Sequence, residues 1–120
     1  ALTSNKGAQD FQLPNNLFEN VIVKSKNWKN SDKIIYVVGA TKSDFLKKIR
    51  DIIPDNFLLI PGVGAQGGYV EEVIKSCTTT ENKKILINIS RSIIYAGNNE
   101  NFVIEAVKKV DEFNSSINFK

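Results

Sequence analysis

Two groups of residues in this chain have the types and spacing needed to bind an anion. The first is the segment Pro61-Gly62-Val63-Gly64-Ala65-Gln66-Gly67-Gly68, whose glycines allow backbone N–H groups to approach a ligand closely. Within it, Gln66 offers a neutral amide donor. The second group is Ser90-Arg91, where the arginine supplies a planar, permanently charged guanidinium suited to two phosphate oxygens. Together these residues favour a phosphate-binding site.

Other interpretations of the same residues remain open. The glycines also match the G-x-G-x-x-G spacing of dinucleotide-binding loops, but that fingerprint expects an acidic residue about 20 positions later. The next predicted strand ends in Asn88 and Ser90 instead. Alternatively, the glycines serve only a tight turn and Arg91 makes a surface ion pair. The single cysteine, Cys77, is a further candidate nucleophile, although the chain has no histidine to activate it.

Alternating strand and helix patterns place both groups at strand ends. Apolar β-branched runs predict strands over about 34–38, 57–60 and 85–89, and the first of these reads as buried on both faces. Helical spacing predicts helices over about 14–28, 44–53, 69–76 and 100–114. The last helix has the apolar stripe Phe102, Ala106, Val107 and Val110. Short links between these elements predict parallel strands joined by helical crossovers, with ligands at the carboxyl ends of the strands.

Length and composition are those of one small domain. The chain has 120 residues, 42% hydrophobic residues and a formal net charge of +3. Its lysines are scattered among acidic residues and asparagines, which favours solvated helix surface over a nucleic-acid-binding face. No apolar run approaches the roughly 18 residues of a membrane span. We therefore expect a cytoplasmic protein without nucleic-acid or membrane partners.

The motifs resemble those of one enzyme family. Residues 37–41 (VVGAT), 57–68 (FLLIPGVGAQGG) and 87–96 (INISRSIIYA) look like the last three strand-and-loop motifs of orotidine 5′-monophosphate decarboxylase. Thr3-Ser4-Asn5 is similar to the motif after that family's fifth strand. The match runs essentially from end to end. It implies an α/β fold that is the C-terminal half of a (β/α)8 TIM barrel, with residues 1–120 as a single partial domain.

The resemblance also implies an activity and a set of contacts. The family removes CO2 from orotidine monophosphate to give uridine monophosphate, without a metal or an organic cofactor. By this resemblance, Ser4 hydrogen-bonds the pyrimidine edge, and Pro61 packs near the ring beside the reacting carboxylate. The residues that it assigns to the 5′-phosphate are Gln66, Gly67, Ser90 and Arg91.

The family's catalytic residues have no counterpart in this chain. By the resemblance, an alternating Lys/Asp cluster lies on the early strands, with one aspartate from across a homodimer interface, and all of it would precede Ala1. The segment Lys42-Ser43-Asp44 is at a predicted helix start and indicates capping and surface charge. We expect the chain alone to be inactive, because the N-terminal half of the barrel is missing. A non-catalytic nucleotide- or phosphate-binding half barrel and another phosphate-binding TIM-barrel enzyme remain alternatives.

Overall fold

The computed structural model describes residues 6–12, 14–41, 43–64, 68–79 and 82–117. The strands in this part of the chain are β1 (Tyr36–Val37), β2 (Leu58–Pro61) and β3 (Ile85–Asn88). The α-helices are α1 (Gln9–Gln12), α2 (Leu17–Ser25), α3 (Ser43–Ile52), α4 (Val70–Cys77), α5 (Arg91–Ile94) and α6 (Phe102–Ser116). Short 3-10 helices lie at Lys6–Ala8, Ser31–Lys33 and Asn99–Asn101.

The strands form one parallel sheet in the order β1-β2-β3. Helix α3 connects β1 to β2, and helix α4 connects β2 to β3. In the register, Tyr36 lies opposite Leu58, which in turn lies opposite Ile85. The prediction of parallel strands joined by helical crossovers is confirmed. The three carboxyl ends therefore lie along one edge of the sheet.

The core lies between the sheet and helices α2, α3 and α4. Alternate strand residues face this layer because successive side chains in a strand point to opposite faces. Tyr36, Val38, Leu58 and Ile60 are buried on this face. The helices contribute fully buried side chains at i, i+3, i+4 and i+7 spacing. These side chains include Phe18, Ile22, Leu46, Ile49, Ile53 and Val73.

The opposite face of the sheet is open, so the prediction that the first strand is buried on both faces is wrong. Ile35 is 51% exposed, Val37 is 47% exposed and Leu86 is 46% exposed. A run of β-branched residues indicates a strand but cannot show which element covers each face. Within the described residues, every helix that packs on the sheet does so from the other side. The open face is therefore apolar and uncovered in this part of the protein.

Two helices differ from their predicted form. The helix predicted over 14–28 is the shorter α2, because Asn16 adopts a left-handed conformation with φ 48° and the chain becomes helical only after it. In α6 the predicted apolar stripe is not buried, since Phe102 is 54% exposed and Val107 is 56% exposed. Only the end of α6 reaches the core, through Phe113 and the following Ile117.

Arg50 holds together the end of the sheet opposite to the strand exits. It is 5% exposed, and its guanidinium donates hydrogen bonds to backbone carbonyls of several loops. The acceptors are the carbonyl oxygens of Ile53, Pro54, Asn56, Cys77 and Lys84, at 2.7–3.1 Å. Three of these precede β2 and one precedes β3. Arg50 therefore fixes how the strands enter the sheet.

Candidate phosphate-binding site

The site begins where the three strands leave the sheet. The Ala40 N–H donates to the Pro61 carbonyl oxygen at 2.9 Å, which ties the exit of β1 to the end of β2. Pro61 also pairs in register with Asn88 at the end of β3. Parallel strands whose ends are level can direct their following loops at one ligand. The strand exits meet this condition.

After β2 the chain forms a closed stem that we call the loop stem, made of Gly62, Val63, Gly64 and Gly68. The Gly64 N–H donates to the Gly68 carbonyl at 2.9 Å, and the Gly68 N–H donates to the Gly62 carbonyl at 3.3 Å. Gly62 has φ 95° and Gly64 has φ 78°, a region that residues with a Cβ rarely adopt. The loop stem therefore fixes both ends of the short segment at positions 65–67. Gln66 and Gly67 lie in that segment, outside the described residues.

Small residues on both sides hold the loop stem in place. A methyl group built on Gly68 would lie 2.6 Å from Ala40 Cβ, at the exit of β1. A methyl group built on Gly64 would lie 2.6 Å from Ser92 Oγ, beyond the exit of β3. At Gly68 a side chain would meet Ala40 Cβ and the Gly62 carbonyl oxygen, so none fits, whereas at Gly64 the near atom is a hydroxyl that can rotate away. The loop stem consequently lies between the other two strand exits and touches both.

Ser90 and Arg91 follow β3 after Ile89, and both are exposed. The Ser90 carbonyl accepts hydrogen bonds from the N–H groups of Ile93 at 3.0 Å and Ile94 at 2.9 Å, so α5 starts at this point. Arg91 is the first residue of that helix. The sequence analysis did not predict this turn. It contains both Arg91 and the next residue, Ser92, whose side chain contacts the loop stem.

Arg91 carries no ion pair among the residues that the structure describes. The ion pairs in that part of the chain are Lys47–Asp51, Lys48–Glu19 and Lys109–Glu112. The alternative in which Arg91 makes a surface ion pair therefore finds no described carboxylate as its partner. Arg91 is exposed and directly precedes Ser92, whose side chain contacts the loop stem.

Pro61, the predicted neighbour of the pyrimidine ring, lies at the end of β2. The alternation along β2 buries Leu58 and Ile60 on the helix side, which places Pro61 on the open face together with Leu59. Asn88, its neighbour in register, is exposed on the same face. Ser4, the other residue predicted at the ring, lies outside the described residues.

Cys77 has none of the properties of a nucleophile. It is fully buried at the end of α4, near Arg50 and away from the strand exits. Burial raises the pKa of its thiol from the ordinary value of 9.0 to about 12, although the nearby Arg50 charge acts in the opposite direction. The thiol is therefore protonated near neutral pH, and a protonated, buried thiol is unreactive.

The dinucleotide interpretation lacks its acidic residue in the structure as well. The strand after the loop stem is β3, and its carboxyl end consists of Asn88 followed by Ile89 and Ser90. A ribose hydroxyl would find no carboxylate at these positions. Elsewhere in the described ranges, no three His, Cys, Asp or Glu side chains cluster closely enough to hold a metal ion. Among the described residues, the exit of β3 therefore carries an amide, a hydroxyl and a guanidinium, from Asn88, Ser90 and Arg91.

A cavity of about 230 Å³ lies near the loop stem but has a different lining. It is bounded by Gly64 and Gly68, the start of α4 at Tyr69, and Phe113 and Ser116 near the end of α6. Neither Pro61 nor Arg91 contributes to it. The cavity therefore lies between the loop stem that follows β2, the start of α4 and the end of α6. No helix in the described ranges is long and apolar enough to span a membrane.

Sequence reasoning missed two small residues that contact the loop stem. Ala40 and Ser92 contact the loop stem from either side, yet neither has a side chain with obvious chemistry. The sequence signal for these residues is that Ala40, after β1, and Ser92, after β3, each lie opposite a glycine of the loop that follows β2. Such a pair can be identified only once the strand register is known.

The chain is 55% identical over 115 residues to orotidine 5′-phosphate decarboxylase of Christiangramia forsetii, a match that covers 92% of this chain and 42% of the relative. It is 52% identical over 111 residues to the enzyme of the same name from Porphyromonas gingivalis, covering 88% and 40%. The chain thus spans about two fifths of the length of these curated relatives.

Among solved structures, a putative orotidine-monophosphate-decarboxylase of Toxoplasma gondii superimposes with a TM-score of 0.70 at 27% identity, covering 95% of this chain and 47% of that one. The UMP synthase of Leishmania donovani superimposes with a TM-score of 0.71 at 28% identity, covering 95% of this chain and 26% of that one. No protein-family model matches the chain. The resemblance predicted from the motifs is nonetheless confirmed by the relatives. Over nearly all of its length, this chain is similar to part of orotidine 5′-phosphate decarboxylase.

Proposed function

We propose that the protein containing this chain is an orotidine 5′-phosphate decarboxylase, which converts orotidine monophosphate to uridine monophosphate and CO2. The observation that carries the proposal is the 55% identity to an enzyme of that name over 92% of the chain. The contact between the loop stem and Ser92 supports it, because it brings the exits of β2 and β3 together. In this proposal the phosphate of the ligand takes donors from both exits.

In this proposal the substrate phosphate lies between the loop after β2 and the start of α5. Arg91 provides two N–H donors in a planar fork, and Ser90 lies next to it at the strand exit. Gln66 and Gly67 are carried by the loop stem and would donate from the other side. A phosphate dianion held by a guanidinium and several N–H groups is bound strongly but away from the reacting carbon.

The pyrimidine ring would lie over the open face of the sheet. Pro61 ends β2 on that face and supplies an apolar surface for the ring. Ser4 would hydrogen-bond the edge of the ring. Because the phosphate contacts are remote from the bond that breaks, their binding energy can be used in the transition state. We infer that the Lys/Asp cluster needed for that step lies outside these 120 residues, so this chain supplies binding and not catalysis.

We also propose that this chain is the C-terminal half of a (β/α)8 barrel. Two features support further strands: β1 and β3 form the edges of the described sheet, and the open face exposes Val37 and Leu86. Strand edges and apolar sheet faces are normally covered in stable proteins. The N-terminal half would cover them, which agrees with the two-fifths coverage of the relatives. A homodimer and a cytoplasmic location are part of the same proposal.

The direct experiment measures the decarboxylation of orotidine monophosphate by the full-length protein. We expect turnover without added metal or cofactor, and we expect chelators to leave the rate unchanged. Phosphate-dependent binding of uridine monophosphate without any turnover would instead identify a non-catalytic nucleotide-binding protein. Lack of both turnover and binding would contradict the proposal as a whole.

A further inference from the structure

Two residues of the described strands have polar side chains. In β1, β2 and β3, every residue other than Tyr36 and Asn88 is apolar. The Tyr36 hydroxyl is buried in the core, where it forms a 2.7 Å hydrogen bond with Ser25 Oγ. Asn88, by contrast, is exposed at the carboxyl end of β3. Of the described strand residues, Asn88 is therefore the one whose polar group the core does not use.

Asn88 lies on the open face of the sheet. Ile87 and Ile89 pack against the core, so the alternation along β3 places Asn88 on the opposite side. Its neighbours on that side are apolar, with Leu86 before it on β3 and Pro61 beside it in register on β2. Within the described ranges, the Asn88 side-chain amide has no hydrogen-bond partner. The amide is thus an unpaired polar group at the edge of an apolar surface.

An amide at this position is unfavourable for the fold unless something binds it. Asparagine is depleted in strands, and its amide adds nothing to the packing of an apolar face. Once the proposed N-terminal half covers the open face, an unpaired amide there would lose its hydrogen bonds to water. Buried polar side chains are nearly always hydrogen-bonded. A ligand can supply the partner, because ligands of parallel α/β proteins bind at the carboxyl ends of the strands.

The position of Asn88 fits the nucleoside part of a nucleotide better than the phosphate. Neighbouring strands lie about 4.8 Å apart, so Asn88 lies one strand spacing from Pro61, where the pyrimidine ring is proposed to bind. Ser90 follows two positions later, a separation of at most about 7 Å. A nucleotide places its sugar between the phosphate and the ring. With the phosphate at Arg91, the amide would lie beside the sugar or the near edge of the ring.

We propose that Asn88 is a substrate-binding residue whose side-chain amide hydrogen-bonds the nucleoside part of the ligand. This inference rests on the proposed function and adds a contact to it. The amide offers two N–H donors and a carbonyl acceptor. Ribose hydroxyls, and the carbonyl and N–H groups of the pyrimidine ring, can pair with both kinds of group. Because the contact does not involve the phosphate, Asn88 should contribute equally to the binding of uridine and of uridine monophosphate.

The test is a calorimetric titration of the full-length protein with uridine, uridine monophosphate and ribose 5-phosphate. Asn88→Leu removes the polar atoms while keeping a side chain of similar size. We expect it to weaken uridine and uridine monophosphate by the same factor, about threefold to tenfold, as for one or two uncharged hydrogen bonds. Asn88→Ala adds no bulk and should show the same pattern, so it serves if the leucine variant does not fold.

Asn27→Leu is the matched control. Asn27 is exposed and lies between the end of α2 and the start of β1, away from the strand exits. The same substitution there should keep all affinities within about twofold of the wild type. Ribose 5-phosphate then shows which group the amide contacts. A matching loss assigns the contact to the sugar, and an unchanged affinity assigns it to the ring; both results support the inference.

Other outcomes would overturn the inference and leave the proposed function intact. A loss in Asn88→Leu that is confined to the phosphorylated ligands would place Asn88 at the phosphate. Wild-type affinities in both Asn88→Leu and Asn88→Ala would show that the amide is only a solvated strand end. A loss in Asn88→Leu without one in Asn88→Ala would show a steric effect of leucine. A wild-type protein that neither decarboxylates orotidine monophosphate nor binds these ligands would overturn both proposals.

Discussion

Replacing Arg50 tests how the fold positions the strands that carry the site. The guanidinium reaches five carbonyl oxygens, all within 3.1 Å, in the connection from α3 to β2 and in the stretch from the end of α4 to the start of β3. Burial lowers the pKa of Arg50 from its ordinary value, and the charges of Cys77 and Asp55 act in the opposite direction. An arginine is nevertheless cationic at any ordinary pH. The group is therefore a buried charge that is stabilised by carbonyl dipoles.

The expected magnitude follows from these contacts. A hydrogen bond that involves a charged group contributes about 1.5–3 kcal/mol, but five such contributions do not add because water reaches part of the vacated site. We expect Arg50→Met to lower the free energy of unfolding by about 3–5 kcal/mol, as for removal of one member of a buried ionic cluster. Arg50→Lys keeps the charge but offers donors from a single atom, so we expect a loss of about 2 kcal/mol.

The assay is urea unfolding followed by circular dichroism, with Lys47→Met as the control on the same helix. Lys47 is exposed and pairs with Asp51 at 2.9 Å. Its removal should change the free energy of unfolding by no more than about 0.5 kcal/mol. Equal losses for Arg50→Met and Lys47→Met would refute the account. So would a loss below about 1 kcal/mol for Arg50→Met, since that is within the range of a single ordinary hydrogen bond.

Two further predictions concern buried groups. Tyr36→Phe should cost about 1 kcal/mol in urea unfolding, because Ser25 Oγ loses its 2.7 Å hydrogen bond to the tyrosine hydroxyl; Ser25→Ala combined with it should add little, and full additivity would contradict the pairing. For Cys77, the folded pKa of about 12 lies above the unfolded value of 9.0. Below pH 9 the thiol is protonated in both states, so it does not make the free energy of unfolding depend on pH. Above pH 9 the unfolded state loses the proton first, so the free energy of unfolding falls as pH rises from 9 towards 12. The fall should be smaller in Cys77→Ala, and a thiol reagent at pH 8 should label Cys77 only after unfolding; rapid labelling of the native protein would contradict its burial.

The alternation of strands and helices could be predicted from the sequence because each element has a strong local signal. The strand at Leu58–Pro61 is a run of apolar residues between a proline-containing turn and a glycine loop. Helix α3 carries Leu46 and Ile49 on the face that the structure buries. These patterns arise from burial against a single layer of helices. They do not depend on what lies on the other side of the sheet.

The features that could not be predicted depend on tertiary contacts or on short segments. Helix α5 has only four residues, and its sequence Arg-Ser-Ile-Ile has no helical period to detect. The exposure of Val37 depends on which elements cover the open face. The early start expected for α2 failed because one asparagine, Asn16, adopts a left-handed conformation. The motif drew attention to Arg91 but not to the neighbouring Ser92, whose contact with Gly64 depends on how the segments after β2 and β3 pack together.

The central claim is that Arg91 binds the phosphate of a nucleotide. Its most direct test is a calorimetric titration of the full-length protein and its Arg91→Gln variant with uridine monophosphate and uridine. Lys33→Gln is the control, since it removes the same charge from an exposed residue before β1. We predict that Arg91→Gln weakens uridine monophosphate binding by about 1.5–3 kcal/mol and leaves uridine binding unchanged. Equal losses for the two ligands, or the same loss in Lys33→Gln, would contradict the account.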